Sequence, residues 1–231
     1  MAIVKKGFRC GITADYDNSD KFESRVEELG HINSSLEFWI FNNAETIDEA
    51  LVIGAGFGLN SKQLIENEVT VTSLEPNDSR FSLLEANAPT GTNINKAAGS
   101  SSGNSDLVYF EDNQSKGSID KTMGNASESV EVVTVDSLDL SPDVLFINTN
   151  GTEIDVLKGA TDTIANNSDM KIWIRWDTDL LEDVSSDIEY LNSLGKTIKL
   201  VHWEKVGDAI SYKETSDTIL EAVITADLLL E

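Results

Sequence analysis

The chain has 231 residues, 40% of them hydrophobic, enough for one α/β domain, or one domain with a short extension, around a sizeable core. Its 41 acidic residues outweigh 17 basic ones for a formal charge of −24. That balance repels phosphate backbones and anionic bilayers, which argues against direct action on DNA or RNA and against a membrane partner. No apolar run approaches the ~20 residues of a membrane-spanning helix. The acidity suits a solvated surface, adaptation to high salt or docking onto a basic partner. The start, Met1 to Arg9, is basic but lacks the apolar stretch and cleavage site of a secretory leader. The one cysteine, Cys10, has no internal disulfide partner. Both point to a cytoplasmic, non-secreted protein or a component of a larger particle.

Residues 1–48 are the least regular and read as an extension packed on a domain running from 49 to 231. Asp20 to Leu29 predicts a short helix and Ser35 to Phe41 a strand. From Ala50 the pattern alternates. Ala50 to Ile53 is an apolar strand ending in Gly54-Ala55-Gly56-Phe57-Gly58, and Asn60 to Asn67 reads as a helix. Val69 to Leu74 is β-branched and strand-like. Asn77 or Asp78 can cap a helix reaching Asn87, with Phe81, Leu84 and Ala88 on one face. Thr92 to Ala98, Leu107 to Phe110 and Val130 to Val135 read as strands, and the Ser-, Gly-, Asn- and Lys-rich stretch Glu111 to Ser129 as a loop. Then follow the strand Val144 to Ile147, one helix from Thr152 to about Asn166, the strand Lys171 to Trp176, and a helix Asp183 to Leu194 stopped by Gly195. Thr197 to Trp203 and Thr218 to Thr225 read as strands forming an edge hairpin. Strand–helix alternation with continuous apolar strands predicts an α/β fold with a doubly wound, mostly parallel sheet.

Two features suggest a nucleotide site. Glycines after a strand and before a helix let the backbone approach a ligand, and the helix start offers free N–H groups. This G-x-G-x-G is not the dinucleotide fingerprint, and a tight turn alone would also use glycine. Glu75, at the end of the next strand, is placed to accept hydrogen bonds from both hydroxyls of a ribose; a surface acid before a proline turn is the plainer alternative.

Ala-Leu-Val-Ile-Gly-Ala-Gly-Phe-Gly (50–58) resembles motif I of the class I, Rossmann-like methyltransferases that use S-adenosylmethionine. Ser-Leu-Glu-Pro-Asn (73–77) with Leu84 and Asn87 resembles the corresponding segment of the FkbM-type family. The run from Asp143 to Ala160 resembles that family's signature strand, turn and helix, and Leu191-Asn-Ser-Leu-Gly195 its final helix and turn. The resemblance covers roughly residues 36–225. It implies that Gly54, Ala55, Gly56 and Gly58 hold the methionine and ribose part of S-adenosylmethionine, that Glu75 binds the ribose hydroxyls, and that Ala97 and Ala98 lie near the adenine.

Three positions depart from the family pattern. Val52 stands where an acid is frequent, and Phe146 where a lysine is frequent. Asn148 and Asn150 stand where the family carries two acids. Asparagine can hydrogen-bond but cannot take a proton from an acceptor; it also turns a chain into a helix well. Glu153 and Asp177 are the acids that remain as candidate bases beside Asn148. His31 and His202 do not have the spacing of a zinc site, and no metal is expected. Trp173 and Trp176 read as packing residues. Two functions follow: O-methylation of a small molecule or glycan, or a catalytically inactive methyltransferase fold acting as a structural or binding component of a larger assembly.

Overall fold

A computed structural model describes residues 2–3, 13–14, 34–111, 113–119, 124–204, 209–222 and 224–231. The helix expected at Asp20 to Leu29 lies outside them, as does His31. Ala2–Ile3 pairs antiparallel with Thr13–Ala14.

The segment expected as a strand at 35–41 is a helix, α1 (Ser34–Asn43). Its aromatic and β-branched content mimics a strand, but Leu36, Trp39 and Ile40 are buried at helical spacing. Asn42 and Asn43 return their side-chain amides to Phe38 O and Trp39 O in the last turn. There follow β1 (Glu49–Ile53), α2 (Leu59–Glu66), β2 (Thr70–Leu74), α3 (Asp78–Asn87) and β3 (Thr92–Ile94). Next come β4 (Ala97–Ala98), β5 (Gly103–Phe110), β6 (Asn113–Ile119) and β7 (Ala126–Val133). The chain continues through β8 (Val144–Ile147), α4 (Glu153–Lys158), α5 (Thr161–Asn166), β9 (Lys171–Asp177) and α6 (Val184–Ser193). It closes with β10 (Ile198–Glu204), β11 (Ala209–Glu214), α7 (Asp217–Ala222) and β12 (Thr225–Leu230).

The main sheet has eight strands in the order β11-β10-β12-β9-β8-β1-β2-β3. The block from β9 through β8, β1 and β2 to β3 is parallel. β12 runs antiparallel between β9 and β10, and β10 and β11 form the edge hairpin. The hairpin partner is therefore 209–214, not 218–225: residues 217–222 are the helix α7, and the last strand is threaded into the sheet.

The row Val52, Phe146, Trp173 and Leu229 crosses four neighbouring strands on one face. Trp39 of α1 lies on it, its ring edge-on to Phe146 at 5.7 Å and tilted against Trp173 at 5.5 Å. Val52 and Phe146, the two departures from the family pattern, are thus core residues under α1. Truncating such a buried ring to alanine typically costs about 3–5 kcal/mol. On the other face Leu51, Ile53, Leu145, Ile147, Ile172 and Ile174 share a core with Ile154 and Leu157 of α4, Ile164 of α5 and Leu191 of α6.

The single helix expected from Thr152 to Asn166 is two, broken at Gly159 and Ala160. A Cβ at Gly159 would lie 2.0 Å from Gly99 O, and the Gly159 carbonyl accepts from Asp136 N. The Asp136 carboxylate then accepts from Asp162 N at 3.1 Å, and from Thr163 N at 2.8 Å and Oγ1 at 2.7 Å. A residue distant in sequence so caps α5.

Much of the stretch expected as a loop at 111–129 is strand. It supplies β6 and the start of β7 in a second sheet of order β4-β7-β5-β6. Thr92 to Ala98, expected as one strand, divides between the two sheets. The small apolar core of the second sheet is Ala97, Leu107, Ile119, Val130 and Val132.

Candidate functional site

β1 lies between β2 and β8, and the chain leaves it first toward β3 and later toward β9. This is the point where the strand order reverses, and open α/β sheets place ligands there, beyond the carboxyl ends of the strands. A cleft of about 140 Å³ occupies that place. Its floor is the loop 54–57 with Glu75, Asn77 and Arg80. Asn148, Thr149 and Asn150 form one side, Ala97 and Ala98 another, and Leu107, Gln114, Ser118 and Ile119 of the second sheet cover it.

The three loop glycines all have positive φ, +74°, +58° and +87° for Gly54, Gly56 and Gly58. Their surroundings differ. A Cβ at Gly54 would lie 2.0 Å from Asn148 O, and one at Gly58 would lie 2.9 Å from Leu84 Cδ1. These two glycines serve the close approach of β8 and α3. Among the described residues, a Cβ at Gly56 would meet only Arg80 Nη1 within 4 Å, at 3.7 Å; it would stand at the cleft. Gly54 N and Ala55 N both donate to Leu74 O, at 3.0 and 2.9 Å. Asn87 Nδ2 donates to Phe57 O at 2.7 Å, which gives the asparagine of the family-like segment a bracing role.

Glu75 is buried at the end of β2. Its Oε2 accepts from Gly56 N at 2.7 Å and its Oε1 from Asn77 N at 3.0 Å. Burial pushes its carboxyl above the ordinary glutamate range, against the opposing pull of Arg80 and of the two N–H donors. Arg80 is a site residue that the sequence reading missed. Of the face expected from Phe81, Leu84 and Ala88, Leu84 and Ala88 are buried, but Phe81 is only half-buried, and Arg80, Leu83 and Asn87 join the buried face. The signal was present: positions 80, 84 and 87 also have helical spacing, but an arginine is not ordinarily assigned to a buried face. Asn77 caps α3 through Arg80 N at 3.0 Å and donates Nδ2 to Glu128 Oε1 of β7 at 2.7 Å. Ser79 Oγ contacts Gln114 Oε1 of β6 at 2.6 Å.

At the β8–α4 turn, Asn148 N donates to Ile53 O at 3.1 Å, and its exposed side chain is on the cleft rim. Asn150 has φ +56°, a conformation asparagine tolerates. Its Nδ2 donates to Gly117 O at 2.8 Å, and Ser118 Oγ donates to Thr149 O at 3.2 Å. The turn is thereby tied to the second sheet. Glu153 is buried below it, accepting from Thr149 N at 2.8 Å and Gly151 N at 2.9 Å. Burial raises its pKa, partly offset by those backbone donors. Glu153 does not line the cleft. Nor does Asp177, which is half-buried at the end of β9 and accepts from Asp179 N at 3.2 Å. The structure therefore brings Gly54, Ala55, Gly56, Glu75, Ala97 and Asn148 together around one cleft. Gly58 lies behind the loop, and Glu153 and Asp177 stand apart. The side chain of His202 lies outside the described residues. Among the described residues, no group of three or more His, Cys, Asp or Glu side chains could hold a metal ion, and no helix is long and apolar enough to cross a membrane.

No known family model matches the sequence, and no curated protein matches it. Solved structures do match its fold. The methyltransferase FkbM from Methylobacillus flagellatus aligns over 95% of this chain and 48% of its own, at 16% identity and a TM-score of 0.52. The chain spans about half the length of that protein. A TehB-like S-adenosylmethionine-dependent methyltransferase from Corynebacterium glutamicum aligns over 94% of this chain and 98% of its own, at 11% identity and a TM-score of 0.53. A ribosomal protein L11 methylase from Lactobacillus delbrueckii subsp. bulgaricus aligns over 85% and 76%, at 10% identity and a TM-score of 0.50. With the strand order above, these likenesses give the chain the Rossmann-like fold of class I methyltransferases.

Proposed function

We propose that the chain is an S-adenosylmethionine-dependent methyltransferase of FkbM type, acting on an oxygen of a small molecule or glycan. The observation that carries this reading is the meeting of Glu75 and the Gly56 backbone, 2.7 Å apart, beside the cleft at the switch point of the sheet. The open side of Gly56 is the fit test: it is the one loop glycine whose Cβ would stand in the cleft rather than in the fold. Gly54, Ala55 and Gly56 would hold the methionine end of the cofactor, Glu75 its ribose, and Ala97 and Ala98 its adenine, while Gly58 packs the loop on α3. When bound, the cofactor supplies a methyl group on a sulfonium. The chain's share is to align the acceptor with that group and exclude water, and alignment is the larger part of catalysis in such a displacement. Asn148, at the rim, orients the acceptor through its amide. Glu153 has both oxygens committed to the turn and Asp177 stands apart from the cleft, so neither takes the acceptor's proton, which leaves to solvent as the acceptor is aligned. Calorimetry tests the cofactor half: the wild type binds S-adenosylmethionine, and Glu75→Gln weakens binding at least about tenfold. A wild type that shows no binding overturns the reading.

Asn150 favours a second reading. Its donated bond to Gly117 O is one that no carboxylate could make at that position, so the turn serves to tie two sheets. In this reading the chain is a catalytically inactive component of a larger assembly. Cofactor bound without methyl transfer to any hydroxyl acceptor, in a particle larger than one chain at working salt, selects it.

A further inference from the structure

Arg80 is held at the floor of the cleft, 4% exposed, in the first turn of α3. Its guanidinium lies over the Phe57 ring, 5.6 Å from the centroid, and its Nη1 is 3.7 Å from where a Gly56 Cβ would stand. It therefore flanks the same peptide whose N–H donates to Glu75. Gly56 and Phe57 of the loop thus lie beside the guanidinium that α3 carries.

We propose that Arg80 is the positioning residue of the diol-binding acid: it is the counter-charge that keeps the Glu75 carboxylate seated between Gly56 N and Asn77 N and available to a vicinal diol in the cleft. This rests on the reading of the cleft as a nucleoside site. The charged groups around Glu75 support the assignment. Glu128 of β7 and Glu75 repel each other, and Asp78 of α3 repels Glu128 in turn. Lys96, after β3, lines the same cleft but is paired with Glu131 at 2.6 Å. The glycine loop contributes only backbone dipoles. Among the described residues Arg80 is thus the cation that opposes burial at this carboxylate.

The sign follows. Without Arg80, Glu75 takes up a proton at a higher pH, and a protonated acid no longer accepts from two hydroxyls at once. Diol affinity is then lost from the acid side, with little change at alkaline pH. The probe is 5′-methylthioadenosine, which has the diol and no group that titrates between about pH 5 and pH 9. For Arg80→Met, calorimetry is expected to give wild-type affinity near pH 9 and an affinity lost from the acid side with its midpoint about one unit higher, approaching tenfold weaker than wild type only well below both midpoints. Arg80→Lys, which restores the charge, is expected to return the profile toward wild type, and Glu75→Gln to flatten it. An Arg80→Met profile parallel to wild type, or weakened equally at every pH, overturns the inference and leaves the cleft reading standing. Should Arg80→Met not fold, Arg80→Gln carries the same test: an acid-side loss displaced to higher pH supports the inference, and a profile parallel to wild type or weakened equally at every pH overturns it. A wild type that does not bind the probe at any pH overturns the cleft reading itself.

Discussion

At the residue scale, three glycines with the same backbone sign do two jobs. Gly54 keeps β1 and β8 together, and alanine there places a methyl group 2.0 Å from Asn148 O. Gly54→Ala is expected to destabilise the chain by about 3 kcal/mol or more in urea denaturation, because the end of β8 must move. Gly56→Ala carries the strain of positive φ, about 1–2 kcal/mol, but its methyl group enters the cleft; its main effect is expected in calorimetry, as a loss of S-adenosylmethionine affinity of about tenfold or more. Equal loss of stability in both variants contradicts the division. The glycine motif and Glu75 were legible in sequence because both are punctuation at strand ends, which chain order alone locates. Arg80 was not: its spacing with 84 and 87 fits the buried face, but an arginine there is not expected until the packing of α3 is seen. The position of Asn148 was also legible. The commitment of Glu153 to its own turn was not, because spacing puts an acid near a site without saying which way its oxygens point.

At the scale of elements, the readings failed where local composition and packing disagree. Phe38, Trp39, Ile40 and Phe41 have strand-like character, yet the apolar floor of Phe146 and Trp173 needs a helix laid across it. In the second sheet, β6 and the start of β7 were read as a loop because the first four residues of β7 alternate between half-buried and exposed, and Ser, Gly and Asn fill much of both segments. In the parallel block, by contrast, every residue of β8 is buried, so its pattern is continuous and its bounds were read correctly. The break between α4 and α5 depends on Asp136, which comes from before β8 and caps α5 from outside. Asp136→Ala is expected to cost about 1–2 kcal/mol, as the loss of a helix cap does, seen as a lower denaturation midpoint with an unchanged slope. An unchanged midpoint removes the cap from the account.

For the whole molecule, charge and buried acids act in the same direction. Burial raises the pKa of Glu75, Glu153 and Glu128 alike. Each therefore binds its proton more readily in the folded than in the unfolded chain, so stability falls as pH rises from the ordinary glutamate value through the raised one. Repulsion among the charges behind the formal −24 adds to the fall and is screened by salt. The melting temperature is expected to be higher near pH 5 than near pH 8 at low salt, with the gap narrowing at about 1 M salt; a melting temperature that climbs steadily over that range contradicts this. The threading of β12 has a consequence in time. Leu228, Leu229 and Leu230 fill the gap between β9 and β10 and are buried there. During synthesis β9 and the β10–β11 hairpin emerge before the strand that joins them. Until it arrives, each offers an unsatisfied edge to any other chain nearby. The main sheet is therefore completed from the inside, and a ribosome paused before Thr225 would hold a half-sheet prone to pairing with the wrong partner.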